Sequence, residues 1–269
     1  MTAKSRGGHQ KSEPVIIRRR PVLEMKTADE IAKMRRAGKV VATSLDLVRQ
    51  AVRPGVTTAE LDAVAAKYIA GAGCIPSFLN YCGYPAVLCA SVNNEVVHGI
   101  PGSRKLVEGD IVSIDLGASF EGYHADSAIT VPVGAISRQA QRLLDVTRES
   151  LVRGMGEMRP GGYLGDVSYA VQSYVERNGM SVVRDFVGHG IGRSLHEEPA
   201  VPNYGLKGTG VRLEPGVVLA IEPMVNQGEW QVEVQENGWT VVTSDGSLSA
   251  HFEHTVAVTE NGHEVLTLP

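Results

Sequence analysis

Two carboxylates stand in a run that otherwise reads as an apolar β-hairpin, Val112-Ser113-Ile114-Asp115-Leu116-Gly117-Ala118-Ser119-Phe120-Glu121-Gly122-Tyr123-His124-Ala125-Asp126-Ser127-Ala128-Ile129. Aspartate is depleted in strands, so the pair needs a chemical reason. With Glu121-Gly122 as a two-residue turn, Phe120 should face Tyr123 and Asp115 should face Ala128, which leaves Asp126 diagonal to Asp115 on the same face. Two carboxylates that close, and partly shielded from water, repel one another and lose hydration. Either one takes up a proton or a cation sits between them. A solvated pair on an exposed hairpin face is the plain alternative, and the remaining candidates decide between the two.

Those candidates lie in the second half of the chain. Leu213-x-x-Gly216-x-x-Leu219-x-Ile221-Glu222 echoes Leu106-x-x-Gly109-x-x-Val112-x-Ile114-Asp115, so a glycine turn leads twice into a buried-looking strand that ends on a carboxylate. Ala250 to Val258 reads as one more strand, with Glu253 as its misplaced acid. Gly188-His189-Gly190-Ile191-Gly192 presents a histidine between glycines, which permits close backbone approach and unusual dihedrals. Four carboxylates (Asp115, Asp126, Glu222, Glu253) and the neutral His189 carry a charge that two divalent cations would balance. The set is rich in oxygen and lacks thiolate, which suits Mn, Fe(II), Co or Zn and excludes a cysteine-type structural zinc site. Two ions about 3.5–4 Å apart can share and acidify a water, so the chemistry indicated is metal-assisted hydrolysis.

The elements that must position these groups come as a duplication. Thr27-Ala28-Asp29-Glu30 reads as a capping box opening a helix with Ile31, Met34, Val41, Leu45 and Val48 on one face, ended by Arg53-Pro54-Gly55. A second helix carries Leu61, Val64, Tyr68 and Ile69 and stops at Gly71 to Gly73. The pattern recurs: a helix with Leu143, Leu144 and Leu151 ends at Arg159-Pro160-Gly161, and another with Val167, Val171, Tyr174 and Val175 ends at Asn178-Gly179. Pro54 with Pro160, Leu61 with Val167, Tyr68 with Tyr174 and Gly73 with Gly179 keep one spacing throughout. A duplicated α-then-β unit of mixed α/β class, with a carboxylate at the equivalent place in each copy, implies two halves facing one site.

Six stretches then resemble, in order, those of type I methionine aminopeptidases: Asn94 to Pro101, the Asp115 and Asp126 pair, Gly188 to Gly192, His196-Glu197-Glu198-Pro199, Ile221-Glu222-Pro223-Met224 and Glu253-His254-Thr255. The resemblance covers the chain from about Thr27 onward. It implies the pita-bread α/β fold and two divalent ions from among Co, Mn, Fe(II), Zn or Ni. It further implies that Asp115 chelates one ion, that Asp126 and Glu253 bridge both, and that His189 and Glu222 complete the other. Glu222 doubles as the general base; His98 is expected near the scissile amide nitrogen and His196 on the carbonyl as it becomes tetrahedral. The methionine pocket is expected from Tyr81, Tyr84, Cys89 and Trp239, with Phe78 and Leu195 alongside. Leu195, where the family often has Phe, and Val97, where it often has Cys, affect the shape of that pocket. His9, His124, His251, His254 and His263 are read as structural histidines.

Composition bounds the remainder. The 269 residues, 43% hydrophobic and 21% charged, suffice for a full core, and a net charge of −4 argues against DNA as the partner. Residues 1–24 hold Lys4, Arg6, Lys11, Arg18, Arg19 and Arg20 against Glu13 and Glu24 and read as a flexible basic arm, with the ribosome as its candidate partner and a solvated tail as the plain alternative. Residues 25–269 read as one catalytic domain, with halves of about 25–134 and 135–269. No apolar run resembles a signal peptide or a membrane span, and Cys74, Cys82 and Cys89 form no disulfide framework; both facts suit a cytoplasmic protein, expected as a monomer acting on N-terminal Met peptides and nascent chains. An Xaa-Pro aminopeptidase or prolidase and a non-catalytic pita-bread binding protein are the competing expectations.

Overall fold

The computed structural model describes residues 23–269, so the basic arm falls outside the described residues except for its last two. Among the described residues four α-helices form where the apolar faces and stop signals stand: α1 Ala28–Ala51, α2 Thr58–Gly71, α3 Arg138–Gly156 and α4 Leu164–Arg177. At the start of α1 the Thr27 N–H donates to Glu30 Oε2 (2.8 Å) and the Glu30 N–H to Thr27 Oγ1 (3.3 Å). Thr57 and Glu60 repeat this box at α2. Each box satisfies two of the backbone donors that a helix start leaves unpaired.

Among the described residues there are fifteen strands: β1 Ile75–Pro76, β2 Leu88–Val92, β3 Glu95–Val97, β4 Ile111–Phe120, β5 Tyr123–Pro132, β6 Ser181–Val182, β7 Gly188–Gly190, β8 Glu197–Val201, β9 Val218–Ile221, β10 Met224–Asn226, β11 Val232–Val234, β12 Val241–Thr243, β13 Ser249–His251, β14 His254–Thr259 and β15 Gly262–Val265. In the first half β4 pairs with β5 on one side and with β2 and β1 on the other, all antiparallel. In the second half the order is β15-β14-β9-β7-β8. Two three-stranded sheets, β13-β10-β6 and β11-β12-β3, lie beside them. The hairpin register is the expected one, with Phe120 opposite Tyr123 and Asp115 opposite Ala128. Glu121 (φ 49°) and Gly122 (φ 78°) both have positive φ, the backbone of a tight type I′ turn.

The duplication is visible as equivalent hydrogen bonds. The Gly55 N–H donates to Leu106 O (2.7 Å) and the Gly161 N–H to Leu213 O (2.8 Å). The isolated bridges Thr57 with Lys105 and Tyr163 with Arg212 match in the same way. Each half packs its helices on its own sheet. Val41, Leu45, Leu61 and Ile69 meet Leu88, Val112, Ile114 and Leu116 in the first; Leu143, Leu144, Val167 and Val171 meet Leu219, Ile221 and Val256 in the second. Full burial of such a side chain contributes about 1.5–3 kcal/mol. The halves join where Met34 of α1 packs among Ile191, Leu195, Val218 and Leu266, and where β5 runs against residues 251–255. There the Glu253 N–H donates to Ala128 O (2.9 Å), Ser127 Oγ to Glu253 O, and Thr130 Oγ1 to His251 O (2.9 Å).

Two sequence expectations change. Residues 250–258 are not one strand: β13 and β14 belong to different sheets, and Phe252-Glu253 lies in the break between them, where it can turn toward the junction. Asp115 does not end its strand, because β4 continues to Phe120, whereas Glu222 does stand just past the end of β9.

Candidate active site

The junction gathers the acids. Asp115 and Asp126 come from the β4–β5 hairpin, His189 from the middle of β7, Glu222 from the turn between β9 and β10, and Glu253 from the break after β13. The glycines beside His189 serve close packing. A Cβ on Gly188 would strike Ala220 O and one on Gly190 would strike Glu198 O, so β7 fits between β8 and β9 only with bare backbone there. Neither has a positive φ, so the expectation of unusual dihedrals at these two positions does not hold.

His189 donates from Nδ1 to Gly190 O (2.9 Å), since a carbonyl can only accept, and this turns the Nε2 lone pair toward the acids. Nε2 lies 3.5 Å from both Asp126 Oδ2 and Glu222 Oε1. One ligand atom each from Asp126, His189 and Glu253 lies within 4.8 Å of the others. Asp126 and Glu253 are 2% and 3% exposed, and Asp115 Oδ1 is buried with no hydrogen-bond partner. Burial, reinforced by the neighbouring carboxylates, pushes Asp115, Glu222 and Glu253 well above the usual carboxylate range. Burial raises Asp126 to about 6 and lowers His189 to about 4. A neutral imidazole beside a shielded carboxylate cluster with an unpaired oxygen is a donor set that fits hard or borderline divalent cations.

The other predicted residues surround the same space. A cavity of about 230 Å³ is lined by Phe78, Tyr81, Tyr84, Cys89, His98, Leu195, His196 and Trp239 together with the five acid and imidazole donors. Thus all thirteen residues singled out from the sequence meet around one cavity. Tyr84 packs edge-on against Trp239 (5.0 Å between rings), and its hydroxyl is anchored near Leu88 O (3.1 Å) and Gly99 O (3.0 Å). His98 sits in left-handed backbone (φ 59°), edge-on to Phe186 (5.7 Å) and Trp239 (6.3 Å). Exposed His196 lies 4.1 Å from His189 ring to ring, with Nδ1 2.8 Å from Tyr81 Oη. Burial lowers His98 to about 4; His196, whose outer edge is exposed, is lowered to about 4 by desolvation of the ring where it faces the cavity and then by the neighbouring His189, so both are neutral at pH 7.

Two residues of the site were not anticipated. Cys82, exposed and with φ 49°, lines the cavity next to Tyr81. His251, read as structural, is buried with Nε2 3.7 Å from Glu222 Oε2 and no hydrogen bond. Its place three residues before His254 in an apolar strand offered no signal. His254 does bond to a neighbour, with Nδ1 2.9 Å from Thr267 Oγ1, as does His124, with Nδ1 2.8 Å from Ser77 Oγ.

Comparison with known proteins gives a consistent family. Residues 32–260 match the model of metallopeptidase family M24. A methionine aminopeptidase of Clostridium perfringens is 53% identical over 244 residues, which cover 91% of this chain and 98% of that protein. Methionine aminopeptidase 1 of Bacillus subtilis is 52% identical over 242 residues, 90% of this chain and 98% of its own. The crystal structure of the Thermotoga maritima methionine aminopeptidase has a TM-score of 0.91 at 48% identity, covering 92% of this chain and all of that one. The prolidase of Pyrococcus furiosus, at 22% identity and TM-score 0.75, shares the fold, and this chain spans 65% of its length. The fold is therefore the pita-bread fold of that family.

Proposed function

The chain belongs to metallopeptidase family M24 and is a methionine aminopeptidase, and from that premise we propose that it releases the N-terminal methionine when the second residue is small, using two divalent cations. Asp115, Asp126, His189, Glu222 and Glu253 would hold the ions. The observation that carries this reading is the convergence of these five donors, drawn from both halves, on one cavity whose other lining residues are largely apolar or aromatic. Bound there, the ions would neutralise the acids and supply Lewis acidity to water and to the scissile carbonyl.

The chain's own residues account for the rest. Glu222, beside that locus, accepts a proton at a carboxylate oxygen as water attacks. His196 is neutral, so a single ring nitrogen carries its proton. When Tyr81 Oη donates to Nδ1 across their 2.8 Å contact, Nε2–H is left free to donate to the carbonyl oxygen as it gains charge. His98 holds the leaving amide nitrogen. Tyr84, Cys89, Trp239, Phe78 and Leu195 enclose the methionine side chain, whose thioether suits aromatic neighbours. The second side chain then lies at the rim, beside the segments that carry His98 and His196. The ion in use is one of Co, Mn, Fe(II), Zn or Ni. The enzyme acts as a cytoplasmic monomer on nascent chains, and the cationic side chains of residues 1–24 suit a contact with ribosomal RNA.

The test compares kcat/KM of the cation-loaded enzyme on Met-Ala-Ser and Met-Lys-Ser. A long second side chain would displace the scissile carbonyl, and a shift on the order of 1 Å can cost about a hundredfold, so the alanine peptide should be preferred by about that factor. Equal values, or a preference for proline in second place, would point to a general or Xaa-Pro aminopeptidase.

A further inference from the structure

The loop that carries His196 is held from outside the cavity by the first described residues of the chain. Lysine is rarely buried unless paired, yet the Lys26 side chain is 4% exposed, with Nζ 2.6 Å from Glu197 Oε2 and 3.1 Å from Glu24 Oε2. Glu197 directly follows His196, and its other oxygen accepts the Ser194 N–H (3.0 Å), so one carboxylate ties both flanks of Leu195-His196. The Lys26 N–H donates to Gly216 O (2.8 Å). Two glycines open the track: a Cβ on Gly192 would strike Lys26 Cε, and one on Gly216 would lie 2.8 Å from Lys26 O. Other groups of the first half grip the same loop. The His124 N–H donates to Gly192 O (2.8 Å), and Arg193 pairs with Glu30 (3.1 Å) while covering the Tyr123 ring.

None of these groups lines the cavity, and the Lys26–Glu197 pair joins the start of the first half to the exposed histidine of the second. A desolvated ion pair of this kind is poor evidence of stability, since apolar replacements often match it, but it tolerates only one arrangement of its partners. We propose that Lys26 is a positioning residue for His196: through Glu197 it fixes the loop so that the imidazole meets Tyr81 and the substrate carbonyl. The proposal rests on the reading of His196 given above.

The experiment compares Lys26→Met, Lys26→Arg and His196→Ala on Met-Ala-Ser. Lys26→Met should lower kcat about tenfold, less than the hundredfold that a displacement of 1 Å can cause, and leave KM within about twofold. Lys26→Arg should recover most of the loss. Calorimetric affinity for Mn(II) should be unchanged in Lys26→Met, and the ring ¹⁵N resonances of His196 should shift even in metal-free protein. Unchanged kcat in Lys26→Met beside a large loss in His196→Ala would overturn this proposal alone. Unchanged kcat in His196→Ala would overturn the reading beneath it as well. Loss of Mn(II) affinity in parallel with kcat would mark the pair as merely structural and also overturn the proposal. If Lys26→Met fails to fold, the double variant Lys26→Met/Glu197→Gln leaves no unpaired buried charge and carries the same measurements.

Discussion

One hydroxyl fixes the most central of the carboxylates. Thr255 is fully buried; its Oγ1 accepts the Asp126 N–H (3.1 Å) and lies 3.0 Å from Asp126 Oδ1 and 2.9 Å from Asp126 O. The hydroxyl's one proton is shared between Asp126 O and Asp126 Oδ1, and its contact with Oδ1 holds the carboxylate so that Oδ2 faces His189. Groups that orient a ligand in this way commonly account for 10–100-fold in metal affinity. Thr255→Val keeps the volume and removes the hydroxyl. It should weaken Mn(II) binding by about tenfold or more in calorimetry, at a cost of about 1 kcal/mol in stability of the metal-free protein. Unaltered affinity would show that the hairpin alone holds Asp126. At this scale the sequence was informative where a residue type was out of place, as with Asp115 and Asp126 in a strand or His189 between glycines. It gave Thr255 no role of its own and read His251 as structural, because both suit ordinary strands and gain their roles only from the element packed opposite.

Elements whose boundaries rest on local chemistry were legible and those made by distant pairing were not. The capping box at Thr27, the apolar face and glycine stop of α2 and the Glu121-Gly122 turn each act within a few residues, so α1, α2 and the β4–β5 register followed directly, although the second capping box, at Thr57, was not read from the sequence. By contrast β3 and β12 are three-residue strands paired across the chain, Val97 opposite Val241, and no local pattern announces such a ladder. Trp239 owes its place in the cavity to that pairing. Glu30 shows how one end of a helix can connect elements. It completes the cap of α1, accepts from Tyr123 Oη (2.6 Å) near the hairpin tip, and pairs with Arg193 of the His196 loop. The Tyr123 hydrogen bond, followed by those from Thr27, lowers its pKa from the ordinary 4.5 to about 2. A depressed carboxylate contributes stability that is fully present above pH 4.5 and is lost as the pH falls through about 2. The Tm difference between the wild type and Glu30→Gln should therefore be widest above pH 5 and narrow progressively from about pH 4.5 downward. A difference that stays constant across that range would mean that the charge of Glu30 contributes nothing.

For the whole molecule, the repeat explains why the site lies where it does. Each half buries its own helices against its own sheet, and the interface left between them receives Asp115 and Asp126 from one side and His189, Glu222 and Glu253 from the other. The duplication could be read from spacing because both copies kept their turns. The facing arrangement could be inferred only from the carboxylates, since apolar periodicity says nothing of how two finished halves dock. A cation bound by donors from both halves acts as a cross-link. It would offset the burial and mutual repulsion that otherwise keep these acids from ionising together. Ligand that binds only the folded state stabilises it by about 2.7 kcal/mol at a hundredfold excess over Kd. For a chain of this length that is on the order of 5 °C in Tm. Chelation should therefore abolish peptide cleavage and lower Tm by about that amount, and adding back Co, Mn or Fe(II) should restore both. Hydrogen exchange should accelerate first in β5 and in residues 251–255, where the halves touch, ahead of the helices that each half packs for itself. Uniform acceleration would mean that the cations stabilise the two halves no more at their junction than elsewhere, and full activity in metal-free enzyme would remove the metal from the mechanism.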